Sequence, residues 1–250
     1  MSAEKQAIRA AFGKAAAAYD AFAEVQRRIA RQLLIQTPPA LSILDAGCGT
    51  GFGVQLLRAA QADASILALD SALPMCARLA SPAVVCGDIE ALPLADGCLD
   101  LYWSSLAWQW TRPELAAAEA ARVLAQGGHL RVASLGPGTL SELRKAFSAL
   151  DTYNHVRAFH TLEHHAGALQ AAGFSDVRIT RCLEQTHAPD LRSILRDIRS
   201  LGAHQLDGAR RPGMIGRQSW QKLQTAYEAF RTREGLPVSY DVFYLSATKP

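Results

Sequence analysis

Apolar residues recur at helical spacing through the first part of the chain. Ile8, Phe12, Tyr19, Phe22, Val25, Ile29 and Leu33 fall on recurring faces, which predicts helix over 4–35. Thr37-Pro38-Pro39 ends it, because proline lacks an N–H and disfavours helix in the residue before it. The pattern then changes to short apolar runs at 42–46, 65–70, 83–86, 99–104 and 129–134, alternating with helical patterns near 53–61, 73–80 and 113–125. Strand–helix alternation of this kind predicts an α/β fold, a parallel sheet with helices on both faces. Gly127-Gly128 reads as the turn between the last of these helices and its strand. After 134 the rhythm breaks at Gly136-Pro137-Gly138, followed by a helix near 140–150. A helix at 162–172 capped by Gly173 and a strand near 177–182 come next. A second break covers about 188–237, and 240–248 reads as a closing strand. With no Gly/Ser/Pro-rich linker between halves, the expectation is one domain over 1–250 with insertions at 136–161 and 188–237.

Composition changes this picture little. Apolar residues make up 49% of the 250 and charged residues 20%, which excludes a disordered, collagen-like or coiled-coil chain. No apolar run reaches the ~18–20 residues of a membrane span. The first residues are charged throughout, without a signal-peptide core, so a soluble cytoplasmic protein with no membrane partner is expected. Five cysteines without a C-x-x-C pair and scattered histidines argue against disulfides and metal.

Charge is uneven. The net charge is −1 over 1–188 and +4 over 189–250. Arg192, Arg196 and Arg199 share one face of a predicted helix whose other face carries Leu191, Ile194, Leu195, Ile198 and Leu201. That face is either simply solvated or a docking surface for an acidic partner, with Arg210, Arg211 and Arg217 adding to its long-range attraction. The excess is too small and too poor in interleaved aromatics for nucleic acid.

The segment Ile43-Leu44-Asp45-Ala46-Gly47-Cys48-Gly49-Thr50-Gly51 carries the chemistry. A strand runs into glycines at every second position and then a helix, the arrangement that lets backbone approach a ligand. The G-x-x-G tail of a dinucleotide fingerprint fails at Phe52, and no Lys-Ser/Thr follows to make a Walker A loop. Asp45 would repel a pyrophosphate and suits an ammonium. Asp70, 19 residues past Gly51 at the end of the next strand, is placed for ribose hydroxyls, and Asp88 after the third strand for an adenine amino group. Ammonium, ribose and adenine together describe S-adenosylmethionine.

On these residues the chain resembles the class I S-adenosylmethionine-dependent methyltransferases over about 40–182 and the closing strand. The resemblance implies a Rossmann-like sheet of seven strands, the last antiparallel. It further implies cofactor contacts from Asp45, Gly47, Cys48, Gly49 and Gly51, from Asp70, Ser71 and Met75, and from Asp88, Ile89, Ser104 and Leu106. Within that class, Phe12-Gly13-Lys14 through Tyr19-Asp20, Gln26-Arg27-Arg28, Gly87-Asp88-Ile89-Glu90-Ala91-Leu92-Pro93-Leu94, the 104–110 stretch, 138–144 and 195–204 resemble the malonyl-acyl-carrier-protein O-methyltransferases of early biotin synthesis. That family usually reads Ser-Asn-Leu-Ala-Leu-Gln-Trp where this chain has Ser105 and Trp108 in place of the Asn and second Leu.

The implied reaction is methylation of a malonyl carboxylate. A carboxylate is already ionised at neutral pH, so no general base is needed. Arg144 is the candidate to grip it, unless it is a surface helix arginine. Tyr19, from an N-terminal helical lid over 1–36, would close over the cofactor and donate to substrate, unless it only packs. Arg192, Arg196 and Arg199 would then dock an acidic acyl carrier protein. Another small acid, a quinone or a phenol as acceptor, or a cofactor-binding regulatory module without turnover, are the competing readings.

Overall fold

The computed structural model describes residues 2–81, 83–200 and 216–250, with only the backbone of Phe22. Leu201, Arg210, Arg211 and the rest of 201–204 therefore lie outside the described residues. The single helix expected over 4–35 is three: α1 (Ala3–Ala15), α2 (Tyr19–Phe22) and α3 (Glu24–Ile35). A straight helix of that length would run on the order of 45–50 Å along a single direction. Breaking it lets α1 bring Phe12 against Met75 while α3 lays Val25, Ile29 and Leu33 on the sheet.

The remaining elements follow the alternation: β1 (Ser42–Ala46), α4 (Phe52–Ala60), β2 (Ser65–Asp70), α5 (Leu73–Cys76), β3 (Val84–Cys86) and β4 (Leu99–Ser105). A 3-10 turn at Trp108–Trp110 leads into α6 (Pro113–Val123) and β5 (Leu124–Leu135). Then come α7 (Ser141–Ser148), α8 (Leu162–Ala171), β6 (Ser175–Ala188), α9 (Leu191–Ser200), α10 (Arg217–Glu228) and β7 (Leu236–Thr248). Among the described residues the seven strands form one sheet, ordered β3-β2-β1-β4-β5-β7-β6. β7 runs antiparallel to both β5 and β6, and the other pairings are parallel.

Alternate strand residues serve opposite layers, as the two-residue period requires. Leu44 and Tyr102 pack with Ala116, Ala117 and Ala120 of α6 and Leu169 of α8. Ile43, Leu101 and Trp103 pack with α3 and with Val54 and Leu57 of α4. A third cluster joins Leu143 and Phe147 of α7, Leu191 and Ile194 of α9, Leu223 and Tyr227 of α10, and Leu236 and Val238. It sits where β6 and β7 pair with each other from Leu183–Asp241 to Ala188–Leu236, beyond β5, so both strands are longer than their apolar runs suggest.

Two local expectations are corrected. Gly127-Gly128 is not a free turn: β5 already begins at Leu124, paired with Leu99, and Gly127 N–H donates to Lys249 O at 2.8 Å. Gly127 takes φ 75° there, so the glycines form a left-handed step inside the strand against the chain's end. The helix expected at 73–80 ends at Cys76, its last turn tightening into i+3 bonds from Arg78 and Leu79 N–H.

Candidate active site

Strand order reverses between β1 and β4, because β2 and β3 lie to one side of β1 while β4 and β5 lie to the other. Ligands of open α/β sheets bind outside the strand ends at such a point. The glycine loop leaves β1 here. Gly47 and Cys48 N–H both donate to Leu69 O, at 2.7 and 3.0 Å, which folds the loop onto β2. Gly47 has φ +83°, and a Cβ there would lie 2.2 Å from the Ala107 methyl. Glycine at 47 is therefore fixed by both conformation and space. The glycine that no motif pointed to is Gly53, where a Cβ would meet Asp45 Oδ2 and Trp103 Cζ3, both at 2.5 Å.

Two cavities meet at the loop. The first is lined by Lys5, Phe12, Asp70, Met75, Asp88 and Trp110 among others. The second lies between α3 and the β1 end and is lined by Asp20, Gln26, Arg27, Asp45, Cys48 and Trp103 among others. Tyr19, Gly47, Gly49 and Ser105 line both, so the two are compartments of one site.

The three aspartates differ in environment. Asp45 is 1% exposed and neither oxygen has a hydrogen-bond partner among the described residues. Burial, then the charge of Asp70, pushes its carboxyl up to about 8 against the Val54 N–H, which favours the ionised form. To ionise, a carboxyl so placed would need a cation beside it, such as an α-ammonium. Asp70 is organised by the backbone: Oδ2 accepts from Gly49 N–H at 3.0 Å and Oδ1 from Ala72 N–H at 2.8 Å. Burial raises its pKa although those N–H groups oppose it. For Asp88, burial acts to raise the pKa, but the Lys5 ammonium at 2.6 Å and the Glu90 N–H outweigh it and hold the carboxyl below its usual range.

The cap is latched onto this end. Lys5 of α1 also reaches Glu90 at 2.7 Å, and Glu90 pairs with Arg112 at 2.7 Å. Phe12 meets Trp110 edge-on at 5.3 Å. Thr50 donates to Asp20 at 2.7 Å. None of Lys5, Asp20 or Trp110 was singled out for a role from the sequence, and for Lys5 no local signal exists, since its partners lie 83 and 85 positions away.

Of the residues expected from the sequence, the structure brings together Tyr19, Asp45, Gly47, Cys48, Gly49, Asp70, Ser71, Met75, Asp88, Ile89 and Leu106. Gly51 lies outside both cavities as the left-handed N-cap of α4, φ 96°. Ser104 is also outside: it is fully buried and its hydroxyl donates to Ala46 O at 2.6 Å. The two-residue period turns its neighbour Ser105 to the site instead. Trp108, the other departure from the resembled pattern, is a core residue whose Nε1–H donates to Tyr102 Oη at 3.1 Å. Arg144 lies outside both cavities, its Nη2 donating to the carbonyls of Pro137 and Thr139 at 3.3 and 3.4 Å. Arg192, Arg196 and Arg199 stand exposed on α9, and Arg192 lies over the Trp220 ring at 5.6 Å. Among the described residues no cluster of His, Cys, Asp or Glu is placed to hold a metal, and no helix is long and apolar enough to cross a membrane.

Sheet order, antiparallel β7, the glycine loop and an acid after each of the first three strands define a class I S-adenosylmethionine-dependent methyltransferase. A methyltransferase-domain family model matches residues 44–132. A solved structure from Thermotoga maritima, described as a methyltransferase and possible histamine N-methyltransferase, has the same fold, with TM-score 0.57 over 97% of this chain and 100% of that one at 17% identity. A malonyl-[acyl-carrier protein] O-methyltransferase of Dechloromonas aromatica is 44% identical over 98% of this chain and 95% of its own. One from Herminiimonas arsenicoxydans is 40% identical over 98% and 96%. The chain belongs to the malonyl-acyl-carrier-protein O-methyltransferase family.

Proposed function

We propose that the protein transfers the methyl group of S-adenosylmethionine to the free carboxylate of a malonyl thioester on acyl carrier protein, giving the methyl ester used in biotin synthesis. The near-full-length likeness to relatives so named carries this reading. When bound, the cofactor supplies a methyl group on a sulfonium. A malonyl carboxylate oxygen forms the new C–O bond as the C–S bond breaks, the electron pair stays on sulfur, and no proton moves. The site chemistry supports an acceptor of this kind. Among the described residues no histidine lines either cavity, and the Tyr19 hydroxyl is pushed above its ordinary range, by burial first and then by the charge of Asp70. A phenol or alcohol acceptor would need a base, whereas an ionised carboxylate does not.

The chain's task is then to align oxygen, methyl and sulfur and keep water out. Tyr19, at the junction of the two cavities, donates to the substrate from the cap. Arg144 exchanges its two long carbonyl contacts for the malonyl carboxylate, which a guanidinium binds through paired hydrogen bonds. Exposed Arg192, Arg196 and Arg199 receive an acidic carrier protein. The test is transfer of labelled methyl to malonyl-acyl carrier protein beside acetyl-acyl carrier protein. Label on malonyl alone is expected. Cofactor binding without label on either discards the substrate and keeps the class.

A further inference from the structure

Two cysteines meet at the edge of the sheet, beside the first cavity. Cys86 ends the edge strand β3 opposite Asp70, its register partner on β2, and Cys76 closes the short α5 that follows β2. Their sulfurs share one turn of backbone. Cys76 Sγ lies 3.5 Å from Asp70 O and 3.8 Å from Val85 O, while Cys86 Sγ lies 3.5 Å from Ser71 O. The two side chains also hydrogen-bond each other. Both are free thiols, Cys76 buried and Cys86 exposed. Cys86 lines the first cavity and accepts from Arg9 Nη2 at 3.5 Å. Thiols open to solvent and beside a cation are the ones that peroxides attack. Cys76 is the opposite case: burial first, then the charge of Asp70, pushes its thiol up to about 11, so it stays neutral at pH 7. An accessible thiol with a second thiol against it is the arrangement of a reversible disulfide.

We propose that Cys76 and Cys86 form a redox-sensitive pair, which peroxides convert to a disulfide that weakens binding in the first cavity. The O–O bond of hydrogen peroxide breaks as one oxygen bonds the Cys86 sulfur, giving a sulfenic acid and one water. The Cys76 sulfur then displaces that oxygen, which leaves with the thiol proton as a second water. Two thiols thus give two protons and two electrons to one peroxide, and a small dithiol reverses the step by exchange. The disulfide takes both thiol hydrogens away from the carbonyls of Asp70, Ser71 and Val85. It also ties α5 to β3 beside Asp70 and Met75, two residues of the cavity wall. Met75 packs with Phe12 and Tyr19 of the cap, so the strain reaches the cap as well. The effect on binding rests on the cofactor reading above; the thiol chemistry does not. Cys48 is the competing partner, because it too interacts with Cys76, but it is buried in the glycine loop with its sulfur 3.8 Å from Gly49 O.

The test treats the purified protein with hydrogen peroxide, then combines thiol counting, mass mapping of unreduced peptides and calorimetric titration with S-adenosylhomocysteine. Wild type should lose two thiols, yield a Cys76–Cys86 cross-linked peptide and bind about tenfold more weakly, and dithiothreitol should reverse all three. Ligand bound beforehand should slow the loss, because Cys86 lines its cavity. Cys86→Ser should form no cross-link and keep, after peroxide, the affinity it has untreated. Cys76→Ser should stop at a Cys86 sulfenic acid that dimedone traps. Circular dichroism of the untreated variants checks that each is folded, and Cys76→Ala stands in if the serine is not tolerated at the buried position. A disulfide from Cys76 to Cys48 overturns the pair, as does oxidation of Cys98 or Cys182 that leaves Cys76 and Cys86 reduced. A Cys76–Cys86 cross-link with unchanged affinity overturns the control of binding. Untreated wild type that fails to bind S-adenosylhomocysteine removes the cofactor reading and that control with it, while the peptide map still decides the pair.

Discussion

Cofactor binding should expel a proton, and Asp45 should be its source. Without a ligand the carboxyl is buried and unpartnered, and it titrates at about 8 in place of its usual 3.8. At pH 7 about nine-tenths of molecules then carry it protonated. An α-ammonium in the second cavity favours the ionised form, so the proton leaves as the ligand enters. Titrating S-adenosylhomocysteine at pH 7 in buffers of different ionisation enthalpy should show release of roughly one proton, and affinity should rise about tenfold per unit between pH 5.5 and 7. Asp45→Asn should abolish that release and weaken binding on the order of 10- to 100-fold. The same shift sets the sign of a stability effect. The folded pKa lies above the unfolded one, so the unliganded protein loses stability as pH rises from about 4 to about 8, by about 6 kcal/mol at most. Asp45→Asn has no such loss, so the variant should gain on wild type across that window in urea melts. Binding that is independent of buffer, or proton release surviving in the Asn variant, would refute the reasoning.

Four further outcomes are expected. Lys5→Met removes the bridge from the cap to Asp88 and Glu90, and should lower stability by about 1–2 kcal/mol, a Tm fall of ~2–8 °C that high salt shrinks; an unchanged Tm at low salt counts against the latch. Gly47→Ala places a methyl 2.2 Å from Ala107 Cβ at φ +83°, and should cost about 2–4 kcal/mol in urea denaturation; a loss near zero means the loop is looser than described. His165 is fully buried, neither ring nitrogen has a hydrogen-bond partner among the described residues, and burial lowers its pKa to about 4. Stability should therefore fall as pH drops from about 6.5 through 4, by about 3 kcal/mol; His165→Phe should remove that acid limb, and a limb that persists assigns it elsewhere. Reversing Arg192, Arg196 and Arg199 to Glu should raise KM about tenfold for carrier-linked malonate, more at low salt, and spare a small malonyl thioester; equal effects on both refute the docking surface.

Sequence logic reached the catalytic frame through local signals. Strand runs and glycine spacing located β1, and the acids expected after the next two strands, Asp70 and Asp88, line one cavity. It reached less far where the cause was distant. The cap broke into three helices because its apolar residues serve different surfaces. Ser104 and Ser105 exchanged roles because a one-residue step in a strand turns a side chain to the other face. Arg144 stands clear of both cavities because its guanidinium meets the carbonyls just before its own helix.

What the sequence alone determined is therefore the periodic part: alternation that demands a parallel sheet, glycines where backbone must turn and approach, and carboxylates at strand ends. These follow from short-range geometry, in which neighbours along the chain are neighbours in space. Only the tertiary structure decided that Lys5 would pair with Asp88, that Gln26 and Arg27 would face Asp45, and that Asp45 would lack a partner of its own. Each depends on two segments meeting across the fold and on the water excluded when they meet. An isolated carboxylate titrates in its usual range, and only packing pushes the Asp45 carboxyl up to about 8.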